Sequence, residues 1–275
     1  MPLGRVEHQA VAAWVADLAA RYSASRTRQA YGVLRQALDA AVRDRRIPRN
    51  PAVDVRLPRM PEQRKRFLSY GEVEQLAQCA GDDGLLVRFL AVTGIRWGEA
   101  TALRMQDIDL MRRRVRVERS LSDVNGALSF GPTKNNKRRE VPLPRFLGDE
   151  LAQVLAGRAP DALVFVSPEG QPLRAQNFRR RVWLGAVERS GLDALTVHDL
   201  RHTAASLAVA SGASVLAVSR MLGHSAPSVT LDVYAGLFES SLDALTDRLD
   251  EAFWKARAAS VRPGTASEVV EFPQR

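Results

Sequence analysis

Two prolines three residues apart, in Arg56-Leu57-Pro58-Arg59-Met60-Pro61, constrain this chain more than any other feature. A proline ring fixes φ, removes an N–H and pushes the preceding residue out of the helical region, so no helix runs through this stretch. The run reads as a linker, with a second domain starting near Lys65. Upstream, Val11, Trp14, Val15 and Leu18 form one helical stripe, and Tyr31, Leu34, Leu38, Ala41 and Val42 form a second after N-cap signals at Ser23 or Ser25. Asn50-Pro51 ends that unit. The predicted organisation is a small helical unit with its linker at 1–60, a large domain at 61–257, and a flexible tail at 258–275.

The large segment reads as mainly α with a small three-stranded antiparallel sheet. Leu68-Ser69-Tyr70-Gly71-Glu72 starts a helix, and residues 85–92 and 97–105 are helical by pattern with a break at Gly94. Val115–Val117, Ala127–Phe130 and Glu140–Leu143 read as strands, with turns at Asp123–Gly126 and Lys134–Lys137. Helical patterns return around Phe178, Val182 and Ala186, then across 201–210 and 215–222. A last stripe is Leu242, Leu245, Leu249 and Phe253. Cys79 lies in the apolar pattern of Val73, Leu76 and Ala80 and reads as an inert thiol. Charges at Arg88, Arg96 and Glu99 interrupt the most apolar stretch, 85–103, and Glu7 and Asp17 break the N-terminal pattern. The expectation is a cytoplasmic, nucleoid-associated chain with no membrane span or signal peptide.

Charge then points to a partner. The formal net charge is +9, which favours a polyanion and nucleic acid first. Residues 1–60 hold eleven Arg against five acids, whereas the stretch from Asp232 onward holds eight acids against five basic residues. Arg26, Arg28, Arg35, Arg43, Arg45 and Arg46, with Lys137 and Arg138 further on, are the candidate DNA contacts. Only four of 40 basic residues are Lys. A lysine retained in so arginine-rich a chain hints at proton transfer, because guanidinium does not give up its proton. Lys134 attracts that reading, against a solvated lysine at a turn.

Several short constellations admit two readings each. Arg96 and Glu99 share a helical face and form either a surface ion pair or a held anion-binding cation. His198 and Arg201 share a face, and Arg201 offers a fork to phosphate oxygens. His198 and His202 have the i, i+4 spacing of two zinc ligands, but Arg201 would set a cation beside the metal, and Asp199 stands where that motif has Glu. His224 follows Gly223 as a helix cap or an anion donor. Tyr234 is a core tyrosine or a nucleophile. Ala208, Gly212 and Val218 fit a helix-turn-helix, the mark of a regulator that reads bases without cutting.

Taken in order, Arg96 (in Thr93-Gly94-Ile95-Arg96-Trp97-Gly98-Glu99), Lys134, His198 with Arg201, His224 (in Leu222-Gly223-His224) and Tyr234 resemble the active-site set of the tyrosine recombinase (phage integrase) family, from about Val11 to Leu249. The resemblance implies a catalytic domain of that fold behind a partial core-binding domain. It implies cleavage and rejoining of DNA through a 3′-phosphotyrosyl link, without metal or cofactor. Tyr234 would attack; Arg96, Arg201 and His224 would stabilise the transition state; Glu99 would position Arg96. Lys134 would protonate the leaving oxygen, and His198 would assist proton transfer. Double-stranded DNA at an attachment core site, a tetramer on DNA and an accessory DNA-bending protein are the implied partners. The front end departs from the family in carrying two core-binding helices and no arm-site domain, as a truncated form or an integrase remnant would.

Overall fold

The sequence folds into two compact units, Met1–Arg64 and Lys65–Arg275. The structure, a computed structural model, describes residues 2–60, 66–133, 138–239 and 241–260. In the first unit, α1 (His8–Arg21) and α2 (Ala24–Arg43) pair through Val11, Val15, Tyr31, Leu38 and Ala41. Ser23 caps α2 by accepting from the Arg26 backbone N–H, which satisfies one of the orphan donors of a helix start. The chain after α2 folds back to complete this core with Ile47, Ala52 and Val55. The Tyr31 hydroxyl donates to Ala52 O, and Asn50 joins Asp39 to the Ala52 N–H. Polar pins of this kind let two short helices hold a fixed geometry that their small apolar area alone would leave loose.

The second unit begins with α3 (Tyr70–Cys79), started by a capping box in which Ser69 and Glu72 satisfy each other's backbone. Then come α4 (Gly84–Thr93) and the single turn α5 (Trp97–Ala100). After the strands lie α6 (Arg145–Leu155), α7 (Ala175–Phe178), a π turn (Arg179–Trp183) and α8 (Leu184–Arg189). The chain closes with α9 (Asp199–Ala210), α10 (Val215–Leu222), α11 (Pro227–Glu239) and α12 (Ser241–Ser260). Leu76, Phe89, Leu147, Leu151, Trp183 and Leu200 are fully buried in one core, at about 1.5–3 kcal/mol for each such side chain. Trp183 keeps its indole N–H satisfied by donating to Leu195 O. Cys79 is a free, half-buried thiol packed against this core.

The fold is the expected one, mainly helical with small antiparallel sheets, but the strands are shared out differently. The three-stranded sheet has the order β1 (Ile108–Asp109), β2 (Arg114–Val117), β5 (Arg139–Pro142). The predicted strand at 127–130 belongs instead to a separate hairpin, β3 (Arg119–Val124) with β4 (Ala127–Pro132). β3 escapes a hydrophobicity reading because only Leu121 of its six residues is buried. The turn it needs is nonetheless written in the chain. Asn125 and Gly126 both have positive φ, the conformation of a two-residue hairpin loop. The last helix runs from Ser241 to Ser260, past Phe253, the last residue of its expected apolar stripe.

Candidate active site

Three helix ends and one strand bring the site together. α4 stops at Gly94 in the left-handed conformation (φ 64°), where a side chain would also collide with Leu222 Cδ2 at 2.6 Å. The chain leaves this turn extended, so Arg96 becomes the N-cap of α5. Glu99, in the first turn of α5, reaches back to the Arg96 backbone N–H at 3.0 Å and to its Nη1 at 3.0 Å.

Glu99 is only 1% exposed, and it accepts from a second guanidinium. Arg139 on β5 donates Nη1 and Nη2 to its two oxygens at 3.1 and 2.7 Å. Burial presses the Glu99 carboxyl upward, but the Arg139 hydrogen bonds and charge, with help from Arg96, hold it below its ordinary value. One buried carboxylate thus fixes two arginines. Arg139 also donates Nε to Met221 O, and its side chain lies where a Cβ on Gly223 would fall, 2.9 Å away. Gly223, left-handed at the end of α10 (φ 67°), is what lets the strand and the helix end approach so closely.

Arg201 on α9 is 5% exposed and ties two helix ends together. Its Nη1 donates to Gly94 O and its Nη2 to Leu222 O, both at 2.6 Å. These are C-terminal carbonyls that the helices cannot satisfy themselves, and they carry partial negative charge. Burial first, then the charges of Arg96 and Arg139, push Arg201 down to about 9, so it stays cationic at neutral pH.

The imidazoles and the phenol complete the cluster. His224 Nδ1 lies 2.9 Å from Thr230 Oγ1, and burial followed by the charges of Arg201, Arg96 and Arg139 pushes its pKa down to about 4. His198, at the start of α9, is lowered by burial and by Arg201. Tyr234 on α11 is 3% exposed; burial raises its phenol while the charge of Arg201 lowers it. The Tyr234 hydroxyl lies 2.8 Å from His202 Nδ1, and the ring stands near Phe67. Arg96, Arg139, Gly223 and His224 line one open cleft of about 320 Å³. Ile95, Arg96, Trp97, His198 and Arg201 line part of a second.

Arg96, Glu99, His198, Arg201, His224 and Tyr234 therefore all belong to one neighbourhood. Lys134 and Lys137 lie outside the described residues. Arg138 is exposed, 3.8 Å from Glu118. Arg26, Arg28, Arg35, Arg43, Arg45 and Arg46 are exposed on the first unit, with Arg26 over the Tyr22 ring and Arg28 donating to Pro58 O. Two residues join the site that the sequence reading did not place there. Arg139 shares strand parity with the buried Val141, which is the signal that turns it inward. His202 figured only as a zinc ligand, yet its Nδ1 faces the phenol and its ring meets His198 edge-on at 5.1 Å. Among the described residues no group of three or more His, Cys, Asp or Glu is placed to hold a metal ion. The helix-turn-helix spacing reflects α9 packing on α10, with Val218 and Leu222 fully buried and Leu222 O engaged by Arg201.

Known proteins share this arrangement of elements. The chain is similar to the integrase of Mycobacterium phage D29, 29% identical over 243 residues, 84% of this chain and 63% of that protein's length. It is also similar to tyrosine recombinase XerC of Proteus mirabilis, 32% identical over 81% of this chain and 68% of that protein. The Tn1549 transposon integrase, solved with circular intermediate DNA, has the same fold, with a TM-score of 0.77 at 21% identity over 90% of this chain and 87% of the other. A lambda integrase dimer bound to a COC′ core site gives 0.62 at 21% identity, over 83% and 82% of the two chains. A family-wide sequence profile, described as Phage integrase family, matches residues 66–240, the stretch that carries the whole cluster around Arg201, and the chain belongs to that family.

Proposed function

We propose that this chain is a metal-independent site-specific recombinase that cuts and rejoins double-stranded DNA through a 3′-phosphotyrosyl intermediate. The observation that carries the reading is the braced cluster of Arg96, Arg139 and Arg201 acting on the same neighbourhood as Tyr234. A phosphodiester under attack gathers negative charge, and donors fixed before the reaction stabilise that charge without reorganising. Bond energy is retained in the phosphotyrosine, so the reaction reverses without ATP.

Tyr234 Oη bonds to phosphorus and loses its proton to a neighbouring base, the bond to the 5′ oxygen breaks, and Lys134 gives that oxygen its proton. Arg96 and Arg201 hold the non-bridging oxygens, with Glu99 and Arg139 keeping Arg96 in place. His224 is neutral. With the Thr230 hydroxyl donating to Nδ1, its proton stays on Nε2 and points a donor at the phosphate. The arginines of the first unit, with Lys137 and Arg138, contact the DNA backbone. The Tn1549 integrase solved with circular intermediate DNA and the lambda integrase solved on a COC′ core site support the DNA partner. A tetramer on DNA, an accessory bending protein and a nucleoid location belong to the same proposal.

The test is a nicked attachment-site substrate whose cut end diffuses away, with adducts read on a denaturing gel. Wild-type chain forms a covalent adduct that survives EDTA, and Tyr234→Phe forms none while still retarding the DNA. Adducts at the wild-type level in Tyr234→Phe remove the nucleophile assignment. Specific binding without cleavage by the wild type, across several candidate sites, favours the regulator.

A further inference from the structure

The reaction needs a destination for the phenol proton. Tyr234 is buried against Phe67 and His202, and burial raises its pKa, so it meets the phosphate as a neutral phenol. A base must lie within hydrogen-bond reach of that hydroxyl as the new bond forms. The Arg201 guanidinium, whose charge acts on the phenol, cannot accept a proton. His224 is turned to Thr230 and, at about 4, is a poor base at neutral pH. His198 meets the His202 ring edge-on. His202 Nδ1 lies 2.8 Å from the Tyr234 hydroxyl.

We propose that His202 is the proton acceptor for Tyr234, an inference that rests on Tyr234 being the nucleophile. The Tyr234 hydroxyl donates to Nδ1 of an imidazole whose own proton is on Nε2. As Oη bonds to phosphorus, the phenol proton moves to His202 Nδ1, and the departing 5′ oxygen takes a different proton from the acid on its own side. On rejoining, His202 returns its proton to Oη. One proton enters at His202 as another leaves the acid, so the strand is cut and resealed with no net exchange with solvent. The adjacent Arg201 gives this pairing its geometry. Arg201 is locked to Gly94 O and Leu222 O, so the turn of α9 that carries His202 is held where α11 delivers Tyr234.

The measurement is single-turnover adduct formation on the nicked substrate, using the full chain. His202→Ala should slow adduct formation by about 10²-fold or more, the span of acid–base catalysis, with DNA affinity unchanged. Added imidazole should restore most of the loss in His202→Ala and do nothing for the wild type. His202→Gln keeps a polar side chain of similar reach without a useful base, so it should fold and stay slow; it decides the matter if the alanine variant unfolds. A wild-type rate in either variant overturns the inference. So does a slow His202→Ala that imidazole leaves slow while His202→Gln is fast, because a positioning contact would behave that way. Tyr234→Phe, run alongside, separates the two layers. Adducts there end the nucleophile reading, whereas their absence with a fast His202→Ala ends only the role of His202.

Discussion

The two units use arginine in opposite ways. On the first, Arg26, Arg35, Arg43, Arg45 and Arg46 are exposed on helix faces and at the end of α2, with Arg26 resting over the Tyr22 ring. In the second, Arg139 and Arg201 are 11% and 5% exposed and are fixed by carboxylate and carbonyl oxygens, and Arg96 is half-buried against the same carboxylate. The same guanidinium serves as a mobile counter-charge in one place and as a rigid donor in the other. Mobile charges attract any phosphate backbone, with an affinity that salt erodes. Fixed donors favour one charge distribution, and they cost stability to assemble unless each is satisfied.

The largest test of that contrast is Arg201→Lys. It keeps a positive charge but loses the fork that reaches two carbonyls and a phosphate together. Cleavage should fall by about 10²–10³, the effect of losing one preorganised donor, and the melting temperature should fall with it. A lysine variant as fast and as stable as wild type would show that charge alone suffices here.

The second test asks whether burial, together with the fixed cations, holds the neighbouring imidazoles neutral as the geometry requires. His224 has a pKa near 4 when folded and about 6.5 when unfolded. Between these values the unfolded chain binds a proton that the folded chain refuses, so stability rises with pH across the window. The contribution is complete above 6.5 and is lost as pH falls toward 4; His198, also lowered, adds in the same direction. Melting temperature should therefore drop from pH 7 to pH 4.5, and His224→Gln should flatten part of that slope. An unchanged slope in His224→Gln would detach His224 from the cluster.

The smallest effects belong to the exposed set. Arg35→Ala and Arg43→Ala should leave melting and the cleavage rate of bound substrate untouched. Each should lower the slope of log affinity against log salt by about 1. A loss of stability in either variant would erase the distinction between the two units.

Much of this is legible in the amino-acid sequence. The stripes of α1 and α2 and the helix entry at Leu68–Glu72 follow from local rules that hold in any context. Arg96, Glu99, Arg201, His224 and Tyr234 stood out because their order and immediate neighbours are unusual together. Arg139 did not, because it is one of three consecutive basic residues, Lys137-Arg138-Arg139, and only strand parity with Val141 tells which one turns inward. His202 was hidden differently. Its neighbour in sequence suggests a metal site, while its partner in space, Tyr234, is 32 residues away on another helix. The β3 strand was missed because a hairpin exposed to solvent on most of its surface needs no apolar pattern, only a turn.

Arg201 spans 107 residues to Gly94 and 21 to Leu222. Its hydrogen bonds are closed only after α4, α9 and α10 have all docked. A nascent, frayed or proteolysed chain lacks the place where a phosphate would be held, whatever segments it still contains. For a chain proposed to cut DNA, that dependence acts as a safeguard. On that proposal, the capacity to cut depends on the native packing of three helices and not on any one segment.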